Sequence, residues 1–260
     1  MNKPISLTIV ISEAIEADII HIHSMDIHIH SMEELVVKMR ETFGNSKKII
    51  LHYHGTDIRG RKNSLIFTLQ HLKSYAKLFA VRIRNRTRLI KMGYYKSLRT
   101  ESQKIANEIL VSTFDLLSIL PNAKYLPNPV DVDHFSKDNV ATINEFNDKA
   151  LIIKNPTGNT EKSLQYCKEN NIDLKIDVFD RTKIPTSYQE IPNLLKKYSV
   201  YVDIRVVNDK ILESLSKTAL ESLACGLKVL NYKLEYVEKL PEMHNPVNVA
   251  NKLENIYNRI

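Results

Sequence analysis

The 260-residue chain has 43% hydrophobic and 26% charged residues, an ordinary balance for a globular protein, and length for one large domain or two of about 120 residues. Two distant cysteines, Cys167 and Cys225, form no CxxC, which argues against a disulfide scaffold or a zinc ribbon; no 18-residue apolar run is present, which argues against a membrane-spanning helix. The net charge of +7 is uneven: thirteen Lys or Arg and one acidic residue, Glu101, lie between Arg59 and Lys104, so an anionic partner is expected there.

Apolar runs predict strands at 5–11, 18–23, 48–53, 108–112 and 123–126, with helical segments at 31–43, 64–80 and 98–107 between them. "LPNPVDVDHF" then reads as an extended connector, because Pro127 and Pro129 push their predecessors out of the α region. The alternation restarts with strand 149–153, helix 159–170, strand 174–179, helix 188–198, strand 199–204, helix 216–225, strand 227–232 and a final helix 246–258. Strands alternating with helices predict parallel sheets built from βαβ units. The restart predicts two such domains, 1–130 and 131–260, with a cleft between them and a basic insertion over about 59–104 in the first. The N-terminus, "MNKPISLTIVIS", lacks the plan of a signal peptide, so a cytoplasmic or peripheral protein is expected.

Six of the nine histidines fall between residues 21 and 54. His21/His23 and His28/His30 are HxH pairs, which share a face when extended. Zinc needs three or four converging ligands, and HxH alone does not establish that. "ADIIHIHS" and "KKIILHYHGTD" instead read as buried parallel strands whose polar residues gather at the strand ends, where open α/β sheets bind ligands. The expectation is therefore no metal, with His28 and His30 in a solvated loop.

In "KILESLSKTALESLACGLKVLNY", Glu213 and Glu221 are separated by seven residues, and a helix is predicted to begin near Ser216 or Lys217. Leu220, Leu223 and Ala224 give a buried stripe, and Gly226 ends the helix. Glu213 then lies in the preceding loop and Glu221 on the helix. Amides at the helix start, with the positive end of the macrodipole behind them, can hold a diphosphate. For the spacing by itself, a surface helix with two solvated glutamates is the favoured reading.

The block "TALESLACGLKVL" with this E-x7-E spacing resembles the donor-binding motif of the retaining GT-B glycosyltransferases of family 4. "ADIIHIHS … IILHYHGTDIRG" resembles the end of that family's N-terminal core, and "ILVSTFDLLSILPNAKYLPNPVDVDHF" its passage into the linker. The resemblance implies an α/β fold of two Rossmann-like domains with parallel sheets facing across a cleft, the N-terminal one abbreviated. It implies transfer of a sugar, hexosyl in type, from a nucleotide-sugar donor to a glycan, lipid carrier or other hydroxyl, with retention of configuration and no metal. It assigns Glu213 to the donor sugar, Glu221 to the ribose, the amides around Lys217, Thr218 and Ala219 to the diphosphate, and His54 to sugar and phosphate. Asp57 and Arg59 fall where acceptor or phosphate would be reached.

The chain departs from the family pattern at three places. The glycine-rich loop after the first strand is missing, since "IVISEAIEAD" runs straight into the HIHS strand. The Arg and Lys that open the second domain are replaced by "ALIIKNPTGNTEKS", where Lys154 or Lys162 would substitute. Glycines after the first Glu are replaced by Ser214, Leu215 and Ser216.

Between residues 73 and 99, cations mix with Leu78, Phe79, Ile83, Leu89, Ile90, Tyr94 and Tyr95. Three readings stand open for this segment: a solvated basic face, an anionic membrane surface, and nucleic acid. For the whole chain, the alternatives to a glycosyltransferase are a non-catalytic sugar-nucleotide or glycan-binding relative and a basic nucleic-acid-binding protein, since fold does not fix function.

Overall fold

The computed structural model describes residues 14–23, 32–55, 99–136, 146–154, 158–207 and 209–260. The predicted strand 5–11, the helix 64–80, and most of the basic segment with Arg82, Arg84, Arg86 and Arg88 lie outside the described residues. Among the described residues, the chain is an α/β protein with two parallel sheets, of four and five strands, the larger with one antiparallel edge strand, and a separate two-stranded hairpin. By contacts it separates into two compact units: Met1–Leu110 with Asn122–Lys124 and Ile260, and Val111–Pro121 with Tyr125–Arg259. Among the described residues, no helix is long and apolar enough to cross a membrane.

The smaller sheet has the order β1 (Ile19–His23), β2 (Lys48–Tyr53), β3 (Glu108–Val111), β4 (Lys124–Tyr125). β2 is apolar on both faces, and Ile49, Ile50, Leu51 and Tyr53 are fully buried, as expected of an inner strand of a parallel sheet. It pairs in parallel with β1, matching Ile19 to Lys48 and His23 to His52. Helix α1 (Met32–Phe43) packs on it and buries Leu35, Val36 and Met39, a spacing of one helical face. Residues 99–105 are also helical.

Arg40, in the last turn of α1, ties these pieces together. Its guanidinium donates to the carbonyls of Gly44 (2.6 Å), Lys47 (3.3 Å) and Ile105 (2.8 Å) and to Asn107 Oδ1 (2.8 Å). Asn107 in turn accepts the Ile49 amide at 2.8 Å and donates its own to the Ile49 carbonyl at 2.8 Å. One side chain thus joins the end of α1, the turn into β2 and the approach to β3, using the planar fork that lysine lacks.

The larger sheet contains β5 (Phe146–Ile153), β6 (Lys175–Phe179), β7 (Tyr198–Val202), β10 (Lys228–Leu230) and β11 (Tyr236–Val237), in the order β11-β10-β7-β5-β6. β5 pairs in parallel with both β6 and β7, β7 pairs in parallel with β10, and β11 closes the edge antiparallel. The chain leaves β5 for one side and returns to its other side, which makes the β5/β7 boundary a topological switch point. Alternation along β5 sends Leu151 into a core with Leu195, Leu220 and Val229, and Ala150 and Ile152 into one with Cys167, Val202 and Leu230. Helices α3 (Ile191–Leu195) and α4 (Lys217–Ala224) supply residues to the first core, and α2 (Thr160–Glu169) to the second. Helix α5 (Pro246–Tyr257) ends the chain with Val249 and Ile256 buried.

Two features of this unit differ from the sequence reading. The helix predicted over 188–198 is a 3-10 turn, Tyr188–Glu190, followed by the five-residue α3, and β7 begins at Tyr198. Pro192 at the helix start and the Ser187/Glu190 capping box fix its beginning. A hairpin of β8 (Val206–Val207) and β9 (Lys210–Ile211) occupies a stretch with no predicted element, because two-residue strands leave no periodic signal.

Replacing Arg40 by Met keeps its aliphatic stem and removes the fan of hydrogen bonds. The first unit is expected to lose about 2–3 kcal/mol, since bonds from a charged donor to carbonyls left without it cost more than neutral ones. Urea denaturation should show an earlier midpoint with an unchanged slope. An unmoved midpoint would assign the fan no stabilising role.

Candidate functional site

Beyond the carboxyl end of β7 the chain runs Asp203, Ile204, Arg205. Asp203 is 1% exposed, and its carboxylate accepts the Ser216 amide at 2.7 Å and lies 3.2 Å from Arg205 Nε. Burial, the largest influence, raises its pKa, and Arg205 opposes that rise. Arg205 also donates to the Ser214 carbonyl, and its own carbonyl accepts the Leu212 amide at 2.9 Å. The loop carrying Glu213 is therefore fastened to the sheet at both ends.

Ser216 caps α4: its hydroxyl accepts the Ala219 amide at 3.0 Å and its carbonyl the Leu220 amide at 3.0 Å. That leaves the Lys217 and Thr218 amides at the helix start with no acceptor among the described residues. The sequence expectation included Ala219, whose amide is taken by the cap. Helix α2 repeats the arrangement: Asn159 accepts the Lys162 amide at 3.0 Å and the Ser163 amide at 3.1 Å, leaving those of Thr160 and Glu161 with no acceptor among the described residues.

Both helix starts border one cavity of about 380 Å³ at the switch point. It is lined by the end of β5 with Lys154, by Asn159 and Thr160 at α2, by Arg181 after β6, by Arg205 after β7, and by Ser216 and Thr218 at α4. The volume suits a small-molecule ligand, and three cations with two positive helix ends give it an anion-attracting wall. Lys154 lies 3.4 Å from Asp180, and Lys162 is paired with Asp209 at 2.8 Å.

Glu221 lies one turn into α4 and is 6% exposed, while Glu213 is exposed in the preceding loop; neither lines the cavity itself. Burial raises the Glu221 pKa above its ordinary 4.5, opposed by the nearby charges of Lys217, Arg181 and His134. Lys217 Nζ is 3.8 Å from the Glu221 carboxylate and 5.6 Å from the centre of the Tyr188 ring. Tyr188, 41% exposed, stacks on His134 with centroids 4.7 Å apart. Arg181 is thus shared between the cavity and the Glu221 neighbourhood.

The sequence analysis missed Arg181 and Arg205, whose signal was present: both follow an Asp at the carboxyl end of a predicted strand, in "FDR" and "VDIR". Tyr188 and His134, 54 residues apart, carry no such signal.

In the first unit, His54 is half-buried at the end of β2, next to Gly55, whose φ of +105° needs the freedom of glycine. His21, His23 and His52 gather around it, with neighbouring ring centroids 4.2–5.3 Å apart. His28, His30, Asp57 and Arg59 lie outside the described residues.

No family model matches the chain, and no curated protein matches it. Among solved structures it is similar to an alpha-glucosyltransferase in complex with UDP and a 13-mer DNA containing a central A:G mismatch, at 12% identity and a TM-score of 0.44. The match covers 86% of this chain and 62% of that one, so the chain spans less than two thirds of that enzyme's length.

The Glu221 environment has a pH signature. A raised pKa means that folding favours the protonated acid, so this contribution is full below 4.5 and is lost as pH rises through the raised value. Glu221→Gln should therefore melt at a higher temperature than the parent near neutral pH, with the gap closing as pH falls through the raised value to 4.5. A difference independent of pH in calorimetric melting would contradict this assignment.

Proposed function

We propose that the chain is a GT-B glycosyltransferase that takes a sugar from a nucleotide-sugar donor, with the donor diphosphate in the cavity at the start of α4. The observation that carries this reading is the conjunction of an anion-attracting cavity at the switch point with a buried glutamate one turn along the same helix. The open amides of Lys217, Thr218, Thr160 and Glu161, with Arg181, Lys154 and Arg205, would meet the phosphates. Glu221 would accept ribose hydroxyls, and the partly exposed Tyr188 would border the base. Glu213 would reach the sugar, in the role that its E-x7-E spacing suggests.

The chemistry follows from these parts. Glycosyl transfer passes through an oxocarbenium-like state as negative charge grows on the departing diphosphate. Fixed dipoles and guanidinium groups around that leaving group stabilise the transition state more than the ground state. They would do so without a metal at the diphosphate. Retention of configuration, a hexosyl group and a glycan or lipid-linked acceptor complete the proposal on the strength of the family resemblance.

Titration calorimetry with a panel of nucleoside diphosphates tests the donor side. One of them should bind, EDTA should leave its affinity unchanged, and Glu221→Ala should weaken it by about 1.5–3 kcal/mol, the loss of a charge-assisted hydrogen bond. Unchanged affinity in Glu221→Ala, or binding that needs manganese or magnesium, would overturn the assignment. Release of free sugar from the matching nucleotide sugar separates an enzyme from a binding relative.

A further inference from the structure

The four histidines of the first unit have a geometry that the donor site does not use. His21 and His23 alternate along β1 and share one face; His52 and His54 do the same at the end of β2. Parallel pairing sets His23 beside His52. Two HxH ends therefore lie side by side, and their rings are stacked or tilted against one another. A ligand nitrogen from each of His21, His23 and His52 lies within 4.8 Å of the other two.

We propose that His21, His23 and His52 form a three-imidazole site for a zinc-class divalent transition metal, with His54 holding the His23 ring from outside. Three histidines and one open position are an established ligand set for Zn²⁺, and imidazole is equally suited to cobalt, nickel and copper. Around a tetrahedral ion with Zn–N of about 2.0–2.1 Å the nitrogens stand about 3.3 Å apart, so closure from 4.8 Å takes ring rotations within the cluster. His23 Nδ1 and His54 Nε2 are 3.0 Å apart, a hydrogen bond between rings that leaves His23 Nε2 for the ion. Metal-bound histidines usually have such a partner on the second nitrogen.

The three ligands belong to the first unit, whereas the cavity residues belong to the second.

The test uses the full chain, stripped with chelator and titrated with Co²⁺ and then Zn²⁺. One Co²⁺ per chain should bind with the intense visible absorption of a four-coordinate site, and Zn²⁺ should displace it. His23→Ala, at an exposed position and checked for folding by circular dichroism, should weaken uptake at least about 100-fold. His54→Gln should weaken it about 10- to 100-fold, the usual cost of losing an outer partner. Absence of stoichiometric uptake, or uptake undiminished in folded His23→Ala, would overturn the proposal.

Discussion

Everything at the candidate donor site hangs on the buried carboxylate of Asp203. It sits just beyond β7, and its amide is bonded to the Leu230 carbonyl at 2.9 Å, so the sheet fixes its position. From there it receives the Ser216 amide at 2.7 Å and faces Arg205 at 3.2 Å. Removing one member of such a buried pair generally costs about 3–5 kcal/mol, because the other charge is left uncompensated. The arrangement makes the start of α4 part of the sheet's rigid edge. A helix end presented on a free loop would have to be ordered by its ligand.

The same anchoring explains how charge is distributed. Arg205 is spent on the Ser214 carbonyl and Asp203, Lys154 is close to Asp180, and Arg181 donates to the Thr186 carbonyl at 3.1 Å, so each cation at the cavity wall is held by a neighbour. Held cations and aligned amides need little reorganisation when negative charge develops nearby. Glu221 stands behind this wall, buried and resisting ionisation, with Lys217 and Arg181 tempering the cost. An α/β sheet yields this geometry because the crossover at β5/β7 opens a crevice where two helices begin.

Much of this was legible because the relevant signals are local and periodic. "ALII" and "IILHY" announce buried strands, and the Leu220–Leu223 stripe with Gly226, φ +86°, defines α4 to within a residue. What stayed hidden depends on pairing. That His21 and His23 meet His52 and His54 follows from the β1/β2 register, which no single segment encodes. The Ser216 cap, which consumes the Ala219 amide, required side-chain geometry. Arg181 and Arg205 sit after strand ends and line the cavity through position, outside the E-x7-E helix. The stack of Tyr188 on His134 joins residues distant in sequence.

The most direct test of the central claim is backbone amide NMR of the chain titrated with a panel of nucleoside diphosphates. If the switch-point cavity holds the diphosphate, the largest perturbations fall on the Lys217, Thr218, Thr160 and Glu161 amides, the four left open at the two helix starts. Saturable binding that leaves those four resonances unmoved, with the perturbations elsewhere, would contradict the account.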